Sequence, residues 1–412
     1  MADELPQRVD CLIAGGGYVG LSTAVAVSAS APHLRIMLVD AAPRDAMHKD
    51  ERASAIAAAA RRMLEQLGIW HGLEEDAQPI TEMIVTDSRT NDAIRPVFLT
   101  FGDASGASGE APFAHMVPNK ALVTALRAKA DETNVIQLHG DTVAGFEPTA
   151  SSMKVILGSG AVVETALLVA ADGVRSKLRD LAGIKTVHWA YDQMGIVTTV
   201  AHERPHEGRA EEHFLPGGPF ATLPLKGNRS SLVWTEPTGN AKRLMETDEF
   251  TFELELERRF GHKLGEIEVA GPRKAFPLGL TQARDFVKPR FALVGDAAHG
   301  IHPIAGQGLN LGFKDAAALA QTVVEADRLG LDIGSSITLE RYERWRRFDT
   351  VQMGVVTDVL NRLFSNDIGP LRQLRTIGLG IVDRLPSLKR RFIDQAAGRG
   401  NGNPALLRGE AI

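Results

Sequence analysis

The sequence predicts an α/β protein in three parts: a parallel sheet wound with helices, an inserted and mainly antiparallel sheet, and a helical C-terminal region. Three observations carry that expectation. Short apolar runs at 9–14, 34–39, 167–171 and 291–294 each stop at a glycine or an aspartate, the way strands of an open α/β sheet deliver their carboxyl ends. Residues 191–234 alternate like strands and are broken by Gly and Pro. Apolar residues recur every three or four positions at Leu339, Tyr342, Trp345, Phe348, Val351, Val355, Val359 and Leu363, one long helix face. The resulting division is a wound sheet over 1–78, 112–186 and 272–340, an inserted unit over 79–111 and 187–271, a helical region over 341–398, and a loose polar tail over 399–412.

In chain order, the first strand (VDCLIA, 9–14) runs into Gly15-Gly16-Gly17-Tyr18-Val19-Gly20, and a small-residue helix follows to about Ala29. This is a G-x-G-x-x-G turn. Gly15 permits the tight bend, Gly17 lets backbone approach a pyrophosphate, and Gly20 lets helix and strand pack closely. The next strand ends in Asp40, placed to take the hydroxyls of an adenosine ribose. The signal alone fits NAD and FAD equally. Residues 51–57 (ERASAIA) lead to an amphipathic helix through Leu67, with Ile56, Ala60, Met63, Leu64 and Leu67 on one face.

Strands are expected between 80 and 112 around a Gly/Ser/Asp loop, then a helix over 119–131. A strand ending in Asp172 opens DGVRSKLR (172–179), with Ser176 and Arg179 at a helix start. The inserted sheet over 191–234 is followed by one polar helix over 242–260. The last strand-end, Asp296, precedes Pro303, Gly306 and Gly308 and a helix from Leu309 to about Asp327. A glycine-rich approach to a helix start leaves backbone N–H groups bare. A carboxylate for a sugar hydroxyl beside such a helix start suits the ribityl chain and pyrimidine edge of a flavin.

Composition narrows the classes. At 412 residues, with 24% charged and 44% hydrophobic residues, the chain can form two or three domains with real cores. A net charge of −5 argues against a nucleic-acid partner. The lone cysteine, Cys11, reads as a buried small hydrophobe in a reducing compartment. No run has the length of a membrane span, and MADELPQR is too acidic for a signal peptide, so a cytoplasmic location is expected. No His/Cys/Asp cluster has metal-ligand spacing, and no metal is expected.

Taken together, GGGYVG (15–20), DGVRSKLR (172–179) and GDAAHGIHPIAGQGLNLGFKDA (295–316) resemble the single-component flavoprotein aromatic hydroxylases of the para-hydroxybenzoate hydroxylase group. More narrowly, the segment 302–310 (HPIAGQGLN), ERASAIA at 51–57, TDVLNRLFSN at 357–366 and LRTIGL at 374–379 resemble the ubiquinone-biosynthesis hydroxylase family (the UbiH, UbiF and Coq6 types). The resemblance spans nearly the whole chain. It implies a Rossmann-like FAD-binding domain with an inserted substrate domain. Gly15, Gly17 and Gly20 would hold the pyrophosphate, Asp40 the ribose, and Arg52 and Ser54 the middle of the cofactor. Asp172 would lie by the pyrophosphate, Asp296 by the ribityl chain, and Pro303, Gly306, Gly308, Leu309 and Asn310 around the flavin ring.

With one dinucleotide fingerprint, FAD would fill the only such site and NAD(P)H would bind transiently elsewhere. The implied reaction is hydroxylation of a polyprenylated phenol by O₂ through a flavin C4a-hydroperoxide, on the way to ubiquinone. A flavin reductase without oxygen insertion and a non-catalytic flavin-binding subunit are the alternatives. His299 and His302 flank the third motif and are the candidates for a catalytic group. Two departures from the pattern stand out. Asn119 falls where many relatives carry an arginine, and with tyrosines only at Tyr18, Tyr191 and Tyr342 the tyrosine relay that activates the phenol in hydroxybenzoate hydroxylase cannot be transferred.

A water-insoluble tail calls for an apolar cavity between flavin and inserted sheet, lined from 190–235. Residues 371–393 join eight apolar to six basic side chains, a composition suited to a peripheral contact with an anionic membrane surface. Other ubiquinone-biosynthesis proteins are the alternative partners.

Overall fold

The computed structural model describes residues 5–44, 50–87, 95, 97–102, 112–300, 307–364 and 402–412. Its first layer is an eight-stranded sheet. Five strands, Phe291–Leu293, Val162–Ala170, Arg8–Ala14, Ile36–Asp40 and Ile136–His139, lie side by side in that order, all parallel. They read as unbroken apolar runs because helices Tyr18–Ser30, Asn119–Glu132 and Gln307–Arg328 cover them, giving one continuous core. Arg8–Ala14 is central. Its neighbours continue the chain in opposite directions, so the carboxyl ends meet at a switch point where ligands bind in such sheets.

The second layer is a nine-stranded sheet running from His299–Gly300 through Lys274–Ala283, Thr186–His202, Arg229–Pro237, Gly218–Leu225, Arg209–Leu215 and Glu82–Asp87 to Val97–Gly102, with Ile267–Val269 beside Thr186–His202. All its pairings are antiparallel except Arg209–Leu215 against Glu82–Asp87. One face buries Phe220, Leu232 and Trp234 against Phe252 and Leu256. The sheet extends past the expected boundary at 271, because Lys274–Ala283 pairs along most of Thr186–His202. A third, three-stranded sheet (Ala53–Ala57, Ala114–Pro118, Gln78–Ile80) sits between the two layers.

Four expectations need correction. Residues 53–57 are a strand paired with Ala114–Pro118, so Ile56 is not helical and the helix is Ala58–Gln66. The single helix over 242–260 is two, Thr238–Glu246 and Glu249–Phe260. Thr247 turns extended, and Asp248 caps the second helix through Oδ1, which accepts the Thr251 N–H at 2.9 Å. In helix Ser336–Phe364 the buried face runs through Leu339, Tyr342, Arg346 and Thr350, while Phe348 is 73% exposed. A paired arginine, unreadable from hydropathy, takes the core position. The end of the supposed loose tail forms a helix, Ala405–Arg408, with Leu406 and Leu407 buried against Ala58–Gln66 and Gln307–Arg328. Arg62 donates to the Leu407 carbonyl at 2.9 Å, and the Ala405 N–H donates to Gln321 at 2.9 Å.

Candidate active site

The strand-end residues picked from sequence converge at one edge of the parallel sheet. Gly15 (φ +116°) lies against the next strand-end: a Cβ there would stand 2.3 Å from the Ala171 carbonyl oxygen. A Cβ on Gly20 would stand 1.9 Å from the Gly15 carbonyl oxygen, so both positions require glycine. Gly17, the N-cap of helix Tyr18–Ser30, has no side-chain cap, and open space lies where its Cβ would be. Bare amides facing open space fit a pyrophosphate. Asp40 accepts the Ala42 N–H at 3.2 Å and stands 3.9 Å from the buried Arg127 guanidinium.

The 172–179 segment is tied to both neighbours. Asp172 accepts from Ser176 Oγ at 2.5 Å and from the Leu178 N–H at 3.3 Å. Arg179, buried, donates to the carbonyls of Val174 (3.1 Å) and Ala297 (3.0 Å), clamping this motif to the turn that carries Asp296.

Asp296 is solvent-exposed yet crowded by protein, the condition of a carboxylate lining a cleft. Crowding raises its pKa, His299 opposes that rise and Asp315 adds to it. Behind it lies a fully buried cluster. Asp315 accepts from the Gly295 N–H (2.8 Å), His299 Nε2 (2.5 Å) and Arg346 Nε (2.7 Å), and Arg346 also reaches Asp349 at 2.9 Å. Burial alone would raise the Asp315 carboxyl, but the His299 and Arg346 charges outweigh it and hold it below the ordinary value. His299 is 1% exposed and packs against Phe286, so it supports the Asp296 turn from inside and faces no cleft.

Asn310 is also a structural tie. Its Oδ1 accepts the Ala57 N–H and its Nδ2 donates to the Ala55 carbonyl, both at 2.9 Å, pinning the start of Gln307–Arg328 to strand Ala53–Ala57. Gly308 and Leu309 open the same helix; His302, Pro303 and Gly306 lie outside the described residues.

Sequence reading missed Asp50. It accepts from Arg52 (Nε and Nη2, both 2.8 Å), Asn119 Nδ2 (3.0 Å) and Tyr18 Oη (3.1 Å), while Ser54 Oγ donates to Asn119 Oδ1 at 2.7 Å. Burial works against its charge, yet the bonds from Arg52 and Asn119 prevail and its pKa lies well below the carboxylate range. An aspartate two residues before Arg52 carries no sequence pattern that marks it. Arg52 also lies over the Phe276 ring, 5.5 Å from its centroid, and with Glu51 borders a cleft against Val197, Thr199, Ser231 and Lys274. Among the described residues no group of His, Cys, Asp and Glu could hold a metal ion.

A glycine turn with acids at the neighbouring strand ends, facing an antiparallel sheet, agrees with the class that its similarities show: an FAD-dependent aromatic-ring monooxygenase. The FAD binding domain family model matches residues 8–348. The chain is 42% identical to the ubiquinone hydroxylase UbiL of Rhodospirillum rubrum over 97% of its own length and 92% of that protein. It is 32% identical to the 3-demethoxyubiquinol 3-hydroxylase of Escherichia coli, covering 95% of this chain and 99% of the other. Among solved structures it resembles p-nitrophenol 4-monooxygenase PnpA of Pseudomonas putida, with a TM-score of 0.77, 18% identity and coverage of 96% and 99%, a likeness of fold. The chain belongs to the FAD-binding ubiquinone-biosynthesis hydroxylase family.

Proposed function

We propose that this protein hydroxylates the aromatic ring of a polyprenylated phenol in ubiquinone biosynthesis, using FAD, O₂ and NAD(P)H as reductant. One observation carries the reading: similarity to ubiquinone hydroxylases runs over nearly the full length of both chains. Oxygen insertion is favoured over hydride transfer alone because those relatives are hydroxylases.

In this reading the amides after Gly15 and Gly17 bind the pyrophosphate, Asp40 the ribose, and Arg52, steadied by Asp50, the middle of the cofactor. Ser54 orients Asn119 beside it, Asp172 fixes the neighbouring turn, and Asp296 takes the ribityl chain. Gly308, Leu309 and Asn310, with Pro303 and Gly306, surround the ring. Bound FAD supplies the two-electron chemistry that activates O₂ toward an electron-rich ring. The start of Gln307–Arg328 favours negative charge at the ring's pyrimidine edge, and Asn310 keeps that start fixed. Across the cleft, Val197, Ala221 and Val233 offer a half-buried apolar strip for the substrate.

Among the described residues no helix is long and apolar enough to cross a membrane. Collection of the substrate at a membrane surface therefore falls to residues 371–393 or to a partner protein; that segment lies outside the described residues. A strain lacking the protein tests the function. It should accumulate a polyprenyl phenol one ring hydroxyl short of the next intermediate, and the gene in trans should clear it. An unchanged quinone pool would exclude this role.

A further inference from the structure

Glu212 is a carboxyl that nothing in the fold accounts for. It is 3% exposed, in strand Arg209–Leu215 of the second sheet. Among the described residues none donates a hydrogen bond to it or pairs with it. Strand alternation settles which way it faces. Glu211, His213 and Leu215 take the side covered by helices: His213 stacks with Phe220, and Lys263 pairs with Glu211. Ala210, Glu212 and Phe214 take the other side, where Ala210 packs with Ile80, Ala114 and Met116 of the three-stranded sheet.

One register step beyond that contact, Glu212 stands opposite Val85 and Ala221, and the row continues through Val233 to Val197. Ala221, Val233 and Val197 are half-buried and belong to no hydrophobic cluster, so they form an open apolar strip. Its far end, about 14 Å and three strands away, is the cleft of Arg52 and Lys274. Glu212 closes the near end. Among the described residues the charged groups on this face are Asp87, diagonal to Glu212 on the adjacent strand, Arg229 at the exposed start of strand Arg229–Pro237, and Glu51, Arg52 and Lys274 at the far end; His115 faces away, toward Arg61 and Trp70.

We propose that Glu212 is the catalytic base of the hydroxylation, the group that takes the ring-hydroxyl proton of the substrate. This rests on the function proposed above. Two of the three tyrosines are engaged elsewhere, Tyr18 bonded to Asp50 and Tyr342 buried with its hydroxyl on the Leu293 carbonyl, so neither of these can relay a proton from a phenol. A phenol lying along the apolar strip brings its hydroxyl to Glu212 at its closed end. The O–H proton moves to Glu212, leaving phenolate and carboxylic acid, and the negative oxygen enriches the ring carbon that is to be attacked. One oxygen atom of O₂ enters at that carbon, the other leaves as water, and NAD(P)H supplies the two electrons. The attacked carbon then loses its own hydrogen as a proton, restoring aromaticity, and Glu212 returns its proton to the phenolate oxygen. Burial pushes the Glu212 carboxyl up to about 7, which suits a group that must take and return a proton near neutrality.

The test uses holoenzyme, chemically reduced and then mixed with oxygenated buffer and a phenol bearing one isoprenyl group beside its hydroxyl. Product is counted per flavin for wild type, Glu212→Gln and Glu212→Asp from pH 5.5 to 10. Wild-type rates should rise to a plateau above about 7. Glu212→Gln should bind FAD normally and hydroxylate about 100-fold more slowly at neutral pH. It should recover as pH nears about 10, where a phenol ionises unaided. Glu212→Asp should regain part of the rate. A Gln variant with wild-type rates and pH profile overturns the proposal while leaving the hydroxylase function standing. Loss of FAD from both variants assigns the carboxyl to folding and also overturns it. Wild-type protein that forms no hydroxylated phenol overturns the underlying function instead.

Discussion

Replacing Asp315 by Asn should be among the most damaging single changes in the molecule. Asp315 and Arg346 are both 0% exposed, and the carboxylate accepts three donors: the Gly295 amide, His299 Nε2 and Arg346 Nε. An Asn offers one acceptor oxygen to those donors and turns an NH₂ group toward the rest. It also leaves Arg346 with Asp349 as its remaining described charge partner, a residue 31% exposed at its side chain. Breaking a buried pair from one side costs about 3–5 kcal/mol, a large part of the roughly 5–15 kcal/mol that holds a domain together. The loss should also reach the cofactor, since the Gly295 amide is what Asp315 holds beside Asp296. Urea denaturation of apo- and holoprotein, followed by tryptophan fluorescence, measures both. A destabilisation below about 1 kcal/mol would mean that the cluster is not the support of the Asp296 turn. The same lowered Asp315 pKa fixes a sign with pH. Its stabilisation is complete above the unfolded-state value of about 4 and is lost as pH falls through the lower folded value.

Glu212 gives the opposite sign. Its carboxyl is raised from 4.5 to about 7, so wild type should lose about 3 kcal/mol between those pH values. Glu212→Gln should escape that loss, and equal urea midpoints for the two proteins at pH 8.5 would refute the burial argument. Purified wild type should be yellow with non-covalent FAD and Asp296→Ala should lose it, because nothing nearby in sequence replaces that carboxylate; full flavin occupancy in that variant would count against the site. In flotation with anionic vesicles, wild type should bind at low salt. Changing Lys389, Arg390 and Arg391 to Gln should weaken that binding, each basic group contributing on the order of 1 kcal/mol. Indifference of wild type to the vesicles points to delivery by a protein.

The parallel sheet and its strand-end acids were legible because each rests on a local pattern, an apolar run stopped by Gly or Asp. Gly15, Asp40, Asp172 and Asp296 all fall at one sheet edge for that reason. What sequence could not show is pairing between distant side chains. Arg346 reads as a surface charge until Asp315, 31 residues away, is brought beside it. Asp50 gains meaning only from Arg52, Asn119 and Tyr18 together. Glu212 was hidden differently. In RAEEHFL both faces of the strand carry a charge, so alternation cannot tell which glutamate turns inward. His299, placed by sequence beside the flavin loop, is instead an internal partner of Asp315, since burial and not chain proximity decides what a side chain can touch.

The central claim, oxygen insertion into a prenylated ring, is tested most directly by turnover under isotope-labelled O₂. FAD-loaded protein, NAD(P)H and a prenylated phenol should give a product carrying one labelled oxygen on the ring, with O₂ uptake matching reductant oxidised. Oxidation of NAD(P)H that depends on the phenol but leaves its ring unlabelled would contradict the account and make the protein a flavin reductase.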